Sequence, residues 1–504
     1  MSVREEHPQY TAGVPEMIKV RDCFEGQDQI KDKDTIYLPA TAGQAIDGKA
    51  TGSTQSKGAK DYAAYKLRAI FHDFVRDAVE TAVGIMHRKP ADIELPASME
   101  DLVDNATVHN ESLQDLLKNI NVGQLIEGRI GILADMPKVP KEGRENLPYI
   151  ATYNGICITN WDDGSDEELV VGSLNLVVLN ESSPERQDDL SWDEVEKYRV
   201  LIYGMIDPNE PEQTAVYRVA IVEPEKQDET TLTSLANADL IEPQIRGNTL
   251  DEIPFVFINS RDINPDVDQP PLLGLANLAL AIYRQEADYQ QSLHMQSQET
   301  FVIIGGKKGG KGKSGKSDDG VRLGAGASLN LDTDGDAKYV GVSANGLSEQ
   351  KDALENNKKR ADEKAGKLLD TRGKAKESNE ALETRIAAGT TTLVQIVQAG
   401  AKGLEKQLKQ IAKWMGANED EVKVTPNIDF EDIRLAAIEL ESFMKAKLLG
   451  APLSLETIHR IMAERELTNM SFEDEVDLLN EEFEDVPEGP APGGTGGQGS
   501  GAAG

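Results

Sequence analysis

The sequence predicts an α+β fold, and three features lead there. Apolar residues recur at spacings of three and four in long segments near both ends of the chain. Between 149 and 257 the period falls to two, with acidic and proline-containing turns separating short apolar runs. These strand-like segments stay grouped instead of alternating with helices, which argues against a parallel βαβ sheet. The chain has 504 residues, enough for about three domains at roughly 150 residues each.

Taken in order, residues 1–60 read as an N-terminal arm that ends in a flexible Gly/Ser/Thr/Lys linker, Gly48 to Gly58. An amphipathic helix is expected over Asp61–His87, where Leu67, Ile70, Phe71, Phe74, Val75 and Val79 keep helical spacing and Pro90 ends it. His72 falls inside it and reads as a packed helix residue. A second helix, Ser112–Gly128, leads into a short apolar strand, Ile130–Ala134, closed by Pro137. Candidate strands follow at Tyr149–Tyr153, Gly155–Asn160, Leu169–Leu179, Arg199–Ile206, Ala215–Val222 and Phe255–Ile258.

Pro270-Pro271 opens a helix reaching about Gln298, which spans on the order of 40 Å. A strand, Phe301–Ile304, runs into a Gly/Lys tract, and strands Val321–Leu323 and Ser328–Leu331 come next. The helix expected over Leu347–Leu369 is highly charged, with a thin apolar side that includes Leu347, Leu354, Ala361 and Leu368. A basic break, Asp370 to Lys376, precedes a longer helix over Glu380–Met415, with Asn379 as its N-cap. Gly389, Gly400 and Gly403 inside that helix imply close packing or a bend. A short strand, Val422–Val424, leads to helices over Phe430–Leu449 and Leu455–Glu466, the second capped by Ser454. Phe472–Glu484 is acidic and partly helical, and the Pro/Gly-rich tail over 485–504 is expected to be disordered.

Charge and composition exclude several classes of function. Acidic residues outnumber basic ones 88 to 53, so the chain carries −35 and cannot grip nucleic acid with its whole surface. It could still surround a nucleic acid without gripping it. Cys23 and Cys157 are too few for a disulfide framework or a cysteine zinc site, and the six histidines form no HExxH cluster. With no signal-like N-terminus and no run of about 18 apolar residues, a soluble chain of a reducing compartment is expected, without membrane contact.

Two motifs fail on their context. Gly310 to Ser317 fits G-x-x-x-x-G-K-S, but a phosphate loop needs a helix to begin at the Lys-Ser pair. Here Ser-Asp-Asp-Gly and a strand-like Val-Arg-Leu follow, and the tract is low in complexity, so it reads as a flexible basic loop. Asp332 to Asp336 suggests part of a calcium loop, but its glycine comes fourth and Ser343 stands where a bidentate Glu is needed. No nucleophile with a partnered base stands out, so no catalytic residue, metal ligand or cofactor is expected.

The order of several local patterns carries a family resemblance. Tyr65-Lys66-Leu67-Arg68-Ala69-Ile70-Phe71 opens a helix that ends in Gly84-Ile85-Met86-His87-Arg88-Lys89-Pro90. Gly128-Arg129-Ile130-Gly131-Ile132 through Pro137 follows, then Trp161, Ile253-Pro254-Phe255-Val256, and Pro270-Pro271-Leu272-Leu273-Gly274 through Tyr289. From about residue 60 to 485 the chain resembles the portal proteins of tailed bacteriophages, in a subgroup known as a phage-encoded family of unknown function.

That resemblance implies a wing over 61–268, a first stem helix over 270–298, a clip over 299–345 and a second stem helix over 346–369. It further implies a tunnel loop over 370–379, a long helix over 380–415 and a crown over 416–484. The implied function is a non-enzymatic ring, typically of twelve subunits, at one capsid vertex of the virion, assembled in the host cytoplasm. Double-stranded DNA would pass through it without sequence-specific contacts. The implied partners are the terminase large subunit, the major capsid and scaffolding proteins, and head-completion or tail proteins. Arg372, Lys374 and Lys376 would line the tunnel loop, either touching phosphates in passing or capping a helix end and pairing between subunits. Lys307, Lys308, Lys311, Lys313 and Lys316 would sit on the exposed clip loop. Two alternatives stay open: a P-loop ATPase of a packaging motor, and another virion structural protein such as an adaptor or tail subunit.

Overall fold

The computed structural model describes residues 2–49, 54–137, 147–164, 174–204, 216–224, 240–245, 247–296, 300–304, 336–340, 345–369, 379–428, 430, 443–445, 447, 449, 451–452, 454–464, 468 and 470–484. It is mixed helix and sheet, as the α+β class requires. The chain divides into two units, Met1–Ile428 and Asp429–Gly504.

The N-terminal residues are not an arm. His7 Nδ1 accepts from the Gln9 N–H at 3.2 Å and starts helix α1, Pro8–Glu25, with proline in its first turn. Tyr10, Met17, Val20 and Cys23 are buried. Charged residues interleaved with them hide this apolar face in the sequence. One of these, Asp22, is itself buried, accepting from Tyr37 Oη at 2.6 Å and Gln29 Nε2 at 2.8 Å. Helices α2, Gln27–Asp32, and α3, Ala42–Ile46, continue the segment, the latter with a reciprocal Thr41/Gln44 capping box.

The helix expected over 61–87 is two helices. Ser56 caps α4, Lys57–Arg68, and α5 spans Phe74–Met86. The chain turns extended at Ala69, and the Phe71 N–H donates to Gln27 Oε1 at 3.2 Å. Phe71 then packs edge-on against Tyr283 at 5.9 Å. Apolar spacing alone did not show this break, because Ala69 and Phe71 stay buried across it while Leu67 points to solvent. His72 therefore lies in the link between helices rather than within one.

After strand β1, Asp92–Glu94, helix α6 runs Leu113–Glu127. Ser112 Oγ accepts from the Asp115 N–H at 3.1 Å, and Gly128 ends the helix at φ +73°. A Cβ at Gly128 would meet the backbone of residues 268–270 at about 3 Å, so both conformation and space require glycine there. Strand β2, Arg129–Asp135, is wholly buried. It pairs antiparallel with β3, Tyr149–Asn154, on one side and with β10, Phe255–Asn259, on the other. Between these two lie β4, Ile158–Asp162; β5, Leu176–Asn180; β6, Ser183–Arg186; β7, Trp192–Val195; β8, Tyr198–Gly204; and β9, Val216–Val222. Strands β4, β5, β8 and β9 form one antiparallel sheet in that order, while β6 and β7 form a separate hairpin within the stretch 180–198, where no strand is expected from the sequence.

Helix α7, Leu273–Gln296, leads to β11, Thr300–Ile304, which pairs antiparallel with β12, Asp336–Val340. Helix α8, Asn345–Leu369, and helix α9, Asn379–Met415, follow. Asn379 is the first helical residue of α9 rather than a residue before it. Strand β13, Lys423–Thr425, pairs with β1, and Val422 and Val424 join the main core. Residues 416–428, expected to open the crown, instead belong to the first unit. Much of the helix expected over Phe430–Leu449, and the strands expected at Val321–Leu323 and Ser328–Leu331, lie outside the described residues.

In the second unit, Ser454 Oγ accepts from the Thr457 N–H at 3.0 Å and opens α10, Leu455–Glu464, as its sequence suggests. Helix α11 spans Phe472–Glu484, and its Phe472 ring packs edge-on against His459 at 5.4 Å.

The main core lies where α6 and the β10–β2–β3 sheet meet α9, with Leu404, Leu408, Ile411 and Trp414 of α9 buried in it. Gly400 and Gly403 mark the points of closest approach. A Cβ on Gly403 would stand 2.4 Å from Ile258 Cγ1, and one on Gly400 would stand 2.6 Å from Asn121 Nδ2. Of the two sequence-level readings, close packing is the one realised at these positions. Ile258 is fully buried and β-branched, so it cannot swing aside. Gly403→Ala is therefore expected to destabilise the protein by about 1–3 kcal/mol through overpacking. That exceeds the gain of up to ~1 kcal/mol that alanine brings to a helix interior. A lower urea midpoint for the variant checks this, and an unchanged or higher midpoint would contradict it.

Candidate functional site

The segment from α7 to α9 combines a deeply anchored base with a solvent-facing arm. Helix α7 is anchored by its first half. Leu275, Ala276, Ala279, Ile282, Tyr283 and Ala287 are buried, whereas from Asp288 onward no described side chain is. Helix α8 is the opposite, for only Leu354 and Ala361 of its described side chains are buried.

The two helices run antiparallel. Gly274, near the start of α7, leaves room for Lys364 toward the end of α8, where a Cβ would stand 2.2 Å from the ammonium. Further along, Asn357 Nδ2 donates to Gln285 Oε1 at 2.8 Å. The β11–β12 hairpin follows at the far end of the pair.

One charge cluster staples this arm to the body. Glu286 on α7 is 3% exposed, and its carboxylate lies 3.1 Å from Lys358 Nζ on α8 and 3.6 Å from His72 Nε2. Gln290 Nε2 also donates to it at 2.8 Å. Burial alone would raise the Glu286 pKa. The hydrogen bonds from Gln290 and Lys358, with the charges of Lys358 and His72, outweigh that and hold it below the ordinary glutamate value. His72 thus faces a carboxylate across helices, a role that its position between two phenylalanines did not reveal.

A second charged feature lies on α9. Lys402, Lys406, Lys409 and Lys413 fall at steps of four, three and four, which puts them on one helix face. They line a cleft of about 370 Å3 together with Glu252, Ile263, Glu405, Gln410 and Glu419. Lys409 Nζ pairs with Glu405 at 2.6 Å and Lys413 Nζ with Asp251 at 2.8 Å. The hydrogen bond to Asp251 raises the Lys413 pKa against its burial. Lys402 and Lys406 are exposed and pair with no described carboxylate. The lysine spacing was readable in the sequence, but not which face of α9 is buried.

The residues singled out from sequence lie elsewhere. Arg372, Lys374 and Lys376 fall within 370–378, and Lys307, Lys308, Lys311, Lys313 and Lys316 within 305–335, both outside the described residues. The G-x-x-x-x-G-K-S tract and Asp332 to Gly335 lie there too, whereas Asp336 opens β12. Among the described residues no group of His, Cys, Asp and Glu could hold a metal ion, and no helix is long and apolar enough to cross a membrane. Burial pushes the Cys23 thiol up to about 12, so it is no thiolate nucleophile.

The Glu286 cluster has a defined pH signature. A carboxylate with a lowered folded-state pKa contributes stability that is complete above the unfolded value, ordinarily about 4.5, and is lost as pH falls through the folded value. Glu286→Gln is expected to cost about 1–3 kcal/mol at neutral pH, as for hydrogen bonds to a charged group. The deficit relative to wild type should shrink as the pH drops below about 4.5. Urea denaturation of both proteins at pH 7 and pH 4 measures it, and a deficit that does not vary with pH would exclude this coupling.

No curated protein matches the chain. Among solved structures, the chain is similar to one in the neck of a native GTA particle computed with C12 symmetry, at 14% identity and a TM-score of 0.38, over 77% of this chain and 89% of that one. It is similar also to one in the neck of an empty GTA particle computed with C6 symmetry, at 14% identity and a TM-score of 0.38, over 76% and 88%. A domain of unknown function (DUF4055) matches residues 271–415, which run from the threshold of α7 to the end of α9.

Proposed function

We propose that this chain is the subunit of a portal-type ring, typically of twelve copies, that conducts double-stranded DNA at one vertex of a phage capsid. The observation that carries the reading is the antiparallel α7–α8 pair. One helix is anchored in the body, its partner is almost wholly polar, a β-hairpin follows at the far end, and a long core helix comes next in the chain. A stem that crosses a ring wall has these requirements, since one side must hold to the protein and the other must face water. The resemblance noted in the sequence arranges its stem, clip, stem, tunnel loop and long helix in the same order.

On this reading the wing covers 61–268, joined by the folded N-terminal residues and by 416–428. The stem helices are α7 and α8, the clip lies over 299–345, the tunnel loop over 370–379, and the crown over 429–484. The clip lysines Lys307, Lys308, Lys311, Lys313 and Lys316 would face the terminase, and capsid, scaffolding and head-completion proteins would meet the outer surface. Such a subunit holds DNA in place by geometry and needs no cofactor or catalytic group of its own. Its net charge of −35 disfavours adhesion of phosphates, so DNA can slide.

Negative-stain electron microscopy and mass photometry of the purified full chain test the reading. Rings of about twelve subunits with a hole wide enough for duplex DNA are expected. A stable monomer or dimer at every concentration, or a five- or six-membered ring that binds ATP and loses it on Lys316→Ala, would overturn it. Replacing Arg372, Lys374 and Lys376 together by Ala is expected to leave the ring intact and to reduce the DNA packaged per particle. Unchanged packaging would assign these cations to helix capping or intersubunit pairing instead.

A further inference from the structure

Two surface features of the first unit are chemical opposites. The β6–β7 hairpin pairs only with itself among the described residues, and a hairpin alone is marginal in water. It is nonetheless braced at both ends. At its root Lys197 binds Glu185 and, at 3.5 Å, Glu223. At its tip Asp188 Oδ1 accepts from the Leu190 and Ser191 N–H groups at 2.9 and 2.8 Å. This braced element presents Leu190, 92% exposed, and Trp192, 63% exposed, among Asp189, Asp193 and Glu194. Large apolar side chains held outward beside one another mark a contact surface, and tryptophan is a favoured anchor.

The cleft on α9 offers the complement. Four lysines rim it, and Ile263 contributes an apolar wall. Lys402 and Lys406 are exposed, so two positive charges on that rim are open to a partner.

We propose that the acidic hairpin Ser183–Val195 of one copy of this chain seats in the lysine-lined cleft on α9 of a second copy. Trp192 would pack its ring against Ile263, and Asp189, Asp193 and Glu194 would face Lys402 and Lys406. A closed ring is built from a heterologous contact between two different patches of the same chain, which these two supply. Leu190 and Trp192, exposed beside three carboxylates, bring both the apolar group that Ile263 can meet and the charge that the two open lysines can meet. The proposal rests on the ring reading above and names the contact that closes the ring.

Charge reversal tests it in the full chain by mass photometry. Lys402→Glu with Lys406→Glu, and separately Asp189→Lys with Asp193→Lys, should each abolish the ring while leaving the thermal melt unchanged, since these side chains are exposed. Mixing the two variants should restore rings, of even subunit number, because every hairpin then meets a cleft of opposite sign. Trp192→Ala should raise the concentration needed for assembly at least tenfold. Rings from either charge variant alone, or no rescue on mixing, would overturn the proposal. So would normal rings from Lys402→Glu/Lys406→Glu that have lost only DNA binding, which would assign the face to nucleic acid. Absence of rings from the wild-type chain would instead remove the portal reading itself.

Discussion

The approach of α9 to α6 and β10 is the contact on which the other elements depend. A helix this long, carrying both lysines and fully buried leucines, stays in register only if its inner face sits in one position. Gly400 and Gly403 fix that position by letting the helix backbone approach Asn121 and Ile258 more closely than any side chain would permit. Two amides trapped at the contact, those of Asn121 and Gln124, are then satisfied from both sides. Gln124 Nε2 donates to the carbonyls of Asn259 and Ile396 at 2.6 and 3.1 Å, and Asn121 Nδ2 donates to Gln124 Oε1 at 2.8 Å. His87 Nε2 meets Asn121 Oδ1 at 2.8 Å, so the end of the α5 segment joins the same network. A network closed on this many elements resists sliding, because moving any one member leaves buried amides unpaired. The α7–α8 pair therefore departs from a fixed base, and the lysine face of α9 points outward by default.

A second buried device explains why the N-terminal residues fold onto the body. Arg129 at the start of β2 is 1% exposed, with its guanidinium 4.2 Å from the ring centres of both Trp161 and Phe257. His7 stacks on Trp161 at 3.9 Å, so the residue that opens α1 covers the same indole. Burial lowers the Arg129 pKa to about 9, with Asp266 and Asp268 working against the shift, and the group stays charged at neutral pH. A buried cation between two aromatic faces is tolerable when water is excluded and the charge is shared. Removing the N-terminal segment would expose one side of that stack to water. Segment and sandwich are thus one structural unit, although about 120 residues and more separate their members in the chain.

What was legible in the sequence follows from which signals are local. Ser454 acts within a turn of its own helix, so its cap could be read directly, and the helix between Ser112 and Gly128 could be placed from its local pattern. The α7, α8 and α9 segments carry long periodic patterns, and their bounds came within a few residues. The fold of residues 1–60 was not legible, because α1 owes its place to Trp161, Val267 and Glu127, none of them near it in sequence. The same holds for the break at Ala69, which exists to bring Phe71 onto Tyr283. Hairpin β6–β7 was missed because its strands are too polar to show a period of two. For the site, the lysines of α9 were visible as letters but not as a surface, and the Glu286–Lys358–His72 cluster joins three separate segments. Single residues in three segments carry no sequence pattern at all.

Charge distribution sharpens the proposed role. The value of −35 suggests a uniformly acidic channel, but the acidic residues are not spread evenly. Residues 162–252 hold 23 acidic residues against 6 basic ones, and residues 429–504 hold 17 against 5. Helix α8 carries 5 acidic and 6 basic residues, so its solvent side is polar yet close to neutral. A duplex carries one charge about every 1.7 Å, so a strongly cationic wall would hold it and a strongly anionic one would hinder its entry. A mixed, near-neutral helix does neither, because attraction and repulsion alternate within a Debye length of roughly 8 Å and largely cancel. If α8 faces the DNA, sliding depends on this local balance, and the acidic excess elsewhere is free to act on other surfaces, among them the β6–β7 hairpin.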